Sequence, residues 1–390
     1  MRTGSVIIGG ARTPIGRLGG ALSKWSAAEL GALAMRAAID RAGLSPSDID
    51  QVVMGCAVQA GQGQNLARSA GQEAGIPLTA PALTINRVCL SGLSAIHYAS
   101  LLVTSGEAQV VVAGGVESMS TAPHLLRRTR QGMLLGDKRL EDSLLSDGLT
   151  CSLDHVSMGL ATEQYGRLEG IGRERQDALA LSSFERASRA WSEGRMSEEV
   201  VRVVDADGGG LDQDECLRTG ITEEALARLN PVFDAGGSIT AGNSSPLCDG
   251  AAAVVVTTSA RAAELGVECL GEIISYGQSA GPTPSLLTKP AVAMRSALVH
   301  SGYRLHDVDI FEINEAFAAV VAASSDELGI SNECVNVNGG AIALGHPFGA
   351  SGARLVITTL YELRRRGGGI GLAGLCAGGG QGEAVLLRVG

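Results

Sequence analysis

Four short clusters hold the residues with types and spacing suited to covalent chemistry. In NRVCLSGLSAIHYASLL, residues 86–102, Cys89 follows an expected strand end and opens a helix marked by Ser91 and Gly92. A thiol placed there lies beside free amide N–H groups and the positive end of the helix dipole, which predicts a lowered pKa and a nucleophilic thiolate. Taken alone, the same cysteine reads more often as an ordinary buried one. In GGAIALGHPFGASG, residues 339–352, His346 stands among five glycines and a proline. Glycine at that density is entropically costly in a plain loop, so the backbone is expected to approach something closely. His346 is then a candidate general base, against the reading of a hydrogen-bonded histidine in a tight turn.

The other two clusters lie at expected strand ends. In LCAGGGQG, residues 375–382, Cys376 precedes Gly378, Gly379 and Gly380, whose N–H groups can point into one cavity as an oxyanion hole, unless the run is only a turn. In INEAFA, residues 313–318, Asn314 and Glu315 end an apolar strand, the place where α/β proteins collect ligand groups. Asn314 can fix a water or a carbonyl oxygen, or merely cap the helix that follows.

The elements that must position these clusters are legible as a duplication. Residues 34–55, AMRAAIDRAGLSPSDIDQVVMG, align without gaps on residues 293–314, AMRSALVHSGYRLHDVDIFEIN, with seven of 22 positions identical. One residue further out of register, Ser91-Gly92 falls on Ser351-Gly352 and Ala113-Gly114 on Ala373-Gly374. Each half therefore reads as an amphipathic helix (Leu30, Leu33, Ala34, Ala37 and Ala38 on one face in the first), a Gly turn and an apolar strand, then a second helix and strand. The second-strand runs AQVVVAGG at 108–115 and GIGLAGL at 369–375 are nearly continuous apolar segments, suited to sheets covered on both faces. The prediction is α/β layers, one per half, packed together. Residues 119–245 are more polar and too long for a loop, with a helix expected from near Arg173, and read as a lid or substrate domain inserted in the first half.

Composition narrows the function. A net charge of −10 and a pI near 5.2 argue against nucleic acid or an anionic membrane as partner; the one dense basic stretch, Arg127, Arg128 and Arg130, reads as a solvated loop or a phosphate contact. The eight cysteines are scattered, without a C-x-x-C pair or a histidine at ligand spacing, so no metal and no disulfide framework is expected. Free thiols and the lack of a leader-like N-terminus or a long uninterrupted apolar run make a cytoplasmic chain the default expectation.

Taken jointly, N-x-x-C-x-S-G-L, N-E-A-F, G-G-A-I-A-L-G-H-P-x-G-A-S-G and C-x-G-G-G-x-G, all present in order, resemble the thiolase family over essentially the whole chain. The resemblance implies a thiolase-like fold: two duplicated α/β core domains in α-β-α-β-α layers, at 1–118 (continued about 246–266) and 267–390, with a loop/lid and CoA-binding insert at 119–245. It implies an acyltransferase that joins two acyl-CoA molecules, or cleaves a 3-ketoacyl-CoA, through an acyl-Cys89 intermediate. Cys89 would be the nucleophile, His346 its base and Cys376 the base that activates acetyl-CoA. His346 with a water on Asn314 would stabilise the enolate, and the N–H groups of Cys89 and Gly378 the tetrahedral oxyanion. Ser245, Leu149, Met158 and Phe317 would contact the pantetheine and thioester, and Arg218 the adenosine end. CoA and acyl-CoA would be substrates, with no further cofactor, and the chain would form a homodimer or homotetramer. Ser157, Pro246, Cys248 and Leu90 depart from the family pattern around the CoA site. The competing readings are a ketosynthase, which would pair its cysteine with two histidines, and an acyl-CoA-binding scaffold without turnover.

Overall fold

The computed structural model describes residues 4–205 and 207–390. Its centre is a mixed sheet. The first half contributes β1 (Ser5–Arg12), β2 (Gln51–Gly55), β3 (Ala82–Ile85), β4 (Val110–Ser118) and β5 (Cys248–Thr258). The second contributes β6 (Gly271–Ala280), β7 (Ile310–Ile313), β8 (Gly369–Ala377) and β9 (Gln381–Val389). The spatial order is β7-β8-β9-β6-β1-β5-β4-β2-β3, with the two-residue strand Gly16–Arg17 added on β5. β2 runs parallel to β3 and β4, and β7 runs parallel to β8, while the other ladders are antiparallel.

Read outward from the middle, the order mirrors itself: β6 answers β1, β9 answers β5, β8 answers β4 and β7 answers β2. The counterpart of β3 is reduced to one parallel bridge, Phe311 to Val335. Each half supplies its own α/β layer, and a three-pair antiparallel ladder, Ser5–Ile7 against Gly271–Ile273, joins their strands into one hydrogen-bonded sheet.

Helices follow the same duplication. α1 (Ala27–Arg41) and α2 (Leu66–Glu73) cover the outer face of the first half, and α6 (Lys289–Ser301) with α7 (Ala318–Leu328) cover that of the second. α1 starts where its sequence says it should: Ser26 and Glu29 exchange hydrogen bonds as a capping box. The three-residue turns that lead into β2 and β7, Pro46–Asp48 and Leu305–Asp307, stand at the offset of 259 seen in the sequence. Between the halves lie α3 (Ser91–Ser105) and α8 (Phe348–Arg365), touching each other and strands of both halves, which gives the α-β-α-β-α layering.

This central layer explains its own composition. A helix with strands of both halves and a second helix packed on it keeps little polar surface, and the window 88–105 reaches a mean hydropathy of 1.4 with 61% of it buried. The two helices approach through glycine. A Cβ on Gly92 would collide with the Gly349 carbonyl oxygen, and one on Gly352 would stand 2.5 Å from the Leu93 amide nitrogen. Between β4 and β5 the chain leaves the sheet for α4 (Met158–Leu168), α5 (Arg173–Ser192) and long connections.

Candidate active site

Cys89 sits on a sharp turn between β3 and α3. Val88 adopts φ 52°, a left-handed conformation that a β-branched residue takes only when its surroundings enforce it, at about 1–3 kcal/mol. The enforcement is visible: Val88 N–H donates to Asn86 Oδ1 (2.9 Å), Ser91 Oγ donates to the Val88 carbonyl (2.5 Å), and Arg87 N–H donates to Ser91 Oγ (2.9 Å). The turn thus places Cys89 at the mouth of α3. Cys376 is the penultimate residue of β8, inside the strand rather than beyond it, and Gly378 to Gly380 form the hairpin turn into β9. His346 lies between the short helix Ala341–Leu344 and α8.

These elements converge on a cavity of about 270 Å³. Cys89, His346, Cys376 and Gly378 line it, as do Leu149, Met158, Ser245 and Phe317 from the positions singled out in the sequence. Leu145, Phe233, Leu247, Leu286 and Phe348 make the remaining wall largely apolar. Two thiols from opposite halves of the duplication therefore face one space. Asn314 is fully buried behind the imidazole, with Nδ2 3.4 Å from Nε2, and does not line the cavity itself. Its Oδ1 faces Arg354 Nη2 at 3.5 Å, so its donor side is turned toward the histidine. Arg218 lies apart, exposed, on a cleft of about 110 Å³ with Arg17, Glu215 and Cys216; Pro246 borders both spaces.

The hydrogen bonds fix the state of His346. Ser351 Oγ has one hydrogen and donates it to the Pro347 carbonyl at 2.9 Å. Its lone pair must therefore accept from His346 Nδ1, 2.6 Å away, which leaves Nε2 unprotonated and basic. Burial, with Arg354 nearby, holds the imidazole down to about 3, well below its usual 6.5, so it is neutral in the resting protein. Arg354 is itself buried and paired with Glu312 (3.3 Å), whose carboxyl burial pushes up to about 8.

The thiols run against the expectation from the helix dipole. Burial pushes Cys89 well above the usual thiol range, with the nearby Cys376 and Glu117 acting in the same direction where they are ionised; burial, against a backbone N–H, pushes Cys376 up to about 12. Desolvation exceeds what a helix N-terminus supplies, so both are thiols at neutral pH, and a proton acceptor is required before either attacks. Glu117 was not visible as a site residue. Fully buried on β4, it accepts from the N–H groups of Ala57 (3.1 Å), Val58 (3.0 Å) and Gly349 (2.9 Å), tying the loop after β2 to the first turn of α8.

The departures from the family pattern are accommodated. Ser157 caps α4 by accepting from Leu160 N–H (3.3 Å) and lines the cavity. Leu90 is buried in the central layer, and Cys248 is buried where a Cβ on Gly345 would come within 3.1 Å of its sulfur. Among the described residues no group of three or more His, Cys, Asp or Glu side chains is placed to hold a metal ion.

A doubled α/β core that brings two cysteines and one imidazole to an apolar cavity defines an acyltransferase working through thiol chemistry. The chain belongs to the thiolase family: the "Thiolase, N-terminal domain" matches residues 5–260 and the "Thiolase, C-terminal domain" residues 267–389. It is 47% identical to the "Probable acetyl-CoA acetyltransferase" of Mycobacterium leprae and 45% identical to the acetyl-CoA acetyltransferase of Cupriavidus necator, each match covering 99% of both chains. The crystal structure of the Bacillus anthracis acetyl-CoA acetyltransferase superposes with a TM-score of 0.96 at 38% identity, again over 99% of both chains.

Proposed function

We propose that this chain interconverts two acyl-CoA molecules, acetyl-CoA with acetyl-CoA in the simplest case, and a 3-ketoacyl-CoA plus CoA. The observation that carries this reading is the convergence of Cys89, Cys376 and an Nδ1-protonated, Nε2-basic His346 on one cavity. His346 Nε2 takes the Cys89 proton as the sulfur attacks the thioester carbonyl and gives it to the departing CoA sulfur, leaving acyl-Cys89, free CoA and a neutral imidazole. Cys376 then gives its proton to His346 Nε2, and the resulting thiolate removes a proton from C2 of the second acyl-CoA. The carbanion attacks the acyl carbonyl, Cys89 leaves and is reprotonated by the imidazolium, and both thiols are restored.

The N–H groups of Cys89 and Gly378 are the donors assigned to the tetrahedral oxyanion, and His346 with a water held by Asn314 those assigned to the enolate. The apolar wall suits pantetheine and a short acyl chain, with Ser245, Leu149, Met158 and Phe317 as contacts. Arg218, an exposed cation on the adjoining cleft, suits the phosphates at the adenosine end. CoA and its thioesters are the substrates, and no other cofactor enters these steps.

The test separates the two sulfurs. Cys89→Ala is expected to form no acyl-enzyme with acetyl-CoA, while Cys376→Ala is acylated on Cys89 yet loses condensation by about 10²–10⁴-fold. Mass spectrometry of the intact protein and of its peptides reads the adduct. An acyl group found on another cysteine, or full condensation by Cys376→Ala, refutes the assignment.

A further inference from the structure

Glu383, on β9, is fully buried and lies outside the cavity, yet it gathers polar groups from both halves of the chain. Its Oε2 accepts from Ser94 Oγ on α3 (2.5 Å) and from Arg87 Nη1 (3.1 Å), and Arg87 Nη1 also reaches Ser94 Oγ (3.0 Å). Its Oε1 lies 3.1 Å from His97 Nδ1 and 3.4 Å from Gln278 Nε2, and the His97 ring stacks on Tyr276 with 3.9 Å between centroids. A fully buried carboxylate held by four partners is a rigid clamp.

Its placement along the chain gives the clamp a meaning. Across the β8–β9 ladder Glu383 pairs with Leu375, and Cys376 pairs with Gly382. The carboxylate is therefore anchored one rung from the second thiol. Arg87 is two residues before the first thiol, next to the strained Val88, and Ser94 is on the first turns of the helix that Cys89 opens.

Two contacts thus hold Cys89. The α3–α8 approach through Gly92, Gly349 and Gly352 sets it against His346, and the Glu383 clamp sets it against Cys376. We infer that Glu383 and Arg87 are positioning residues that fix the separation of the two sulfurs, and so govern the step that uses both thiols rather than the step that uses Cys89 and His346. The inference rests on the reading given under Proposed function.

The experiment compares two reactions in one protein: exchange of labelled CoA into acetyl-CoA, which needs acyl-Cys89 formation and its reversal, and condensation to acetoacetyl-CoA, which also needs carbon–carbon bond formation by way of Cys376. Arg87 is partly exposed and Glu383 keeps Ser94, His97 and Gln278 without it, so Arg87→Met is the variant expected to fold. A displacement near 1 Å at a reacting pair lowers a rate by about 100-fold. Arg87→Met is accordingly expected to lose condensation by about 10- to 100-fold while exchange changes by less than about threefold. Glu383→Gln, checked for folding by its thermal transition, is expected to partition the same way. Equal losses in both reactions, or no loss in either, overturn the inference. A wild-type protein inactive in both overturns the functional reading instead.

Discussion

Replacing Ser351 by Ala tests the tautomer argument directly. Among the described residues the hydroxyl is the one acceptor within ordinary hydrogen-bond distance of His346 Nδ1, at 2.6 Å, and it is oriented by its own donation to the Pro347 carbonyl. Ser351 and His346 are 1% and 2% exposed, so solvent does not replace the lost group. The imidazole then either keeps its proton on Nδ1 without a partner, at about 1–3 kcal/mol, or moves it to Nε2 and ceases to be a base toward Cys89. Either course raises the barrier to acylation by that amount. At about 1.4 kcal/mol per tenfold change, the rate of acyl-enzyme formation should fall by about 5- to 100-fold. Rapid-quench mixing with acetyl-CoA, followed by intact-mass measurement of the Cys89 adduct, gives that rate without contribution from condensation. Ser351→Thr, which restores a hydroxyl, should recover part of it. Acylation by Ser351→Ala within twofold of wild type would refute the assignment of Nε2 as the base by way of Ser351.

The titration of the site leads to two further expectations. Because Cys89 lies well above the usual thiol range, its alkylation by iodoacetamide in the absence of substrate should rise about tenfold per pH unit from pH 6 to 9; a rate that levels off below pH 7 would show a preformed thiolate. For His346 the folded value near 3 is below the unfolded value near 6.5, so the unfolded chain binds the extra proton first. The stability contributed by the neutral ring is full above pH 6.5, declines as pH falls, and is gone below about pH 3. Between pH 7 and pH 5 wild type should lose about 2 kcal/mol more than His346→Asn in urea unfolding, and parallel losses in the two proteins would contradict it.

How far the sequence disclosed this architecture depended on the range of the interactions involved. The duplication was readable because α1 with β2, and α6 with β7, are local units whose register survives as identities such as Gly43 with Gly302. The four clusters were readable because glycine marks close backbone approach, as at Gly92 and Gly352, and all four converge at the site. Three features were not. The join of the two halves into one sheet rests on three residue pairs between segments more than 260 residues apart, with no local signature. The direction of the Cys89 shift depends on burial by walls drawn from residues 145–159, 233 and 348, which a helix-start argument does not contain. Glu117, Arg354 and Glu383 carry ordinary charged side chains, and only their complete burial beside the site distinguishes them.

The fold also sets the order in which the parts of this site come together along the chain. β9, residues Gln381–Val389, follows both thiols and the imidazole in sequence, yet in space it occupies an interior place between β8 and β6, and the carboxylate clamp comes with it. A growing polypeptide that has already threaded its first cysteine, and even its imidazole, through the ribosome still lacks the strand that seats the second sulfur. Removing residues 381–389 would therefore open the middle of the sheet and leave the second thiol without its neighbouring strand.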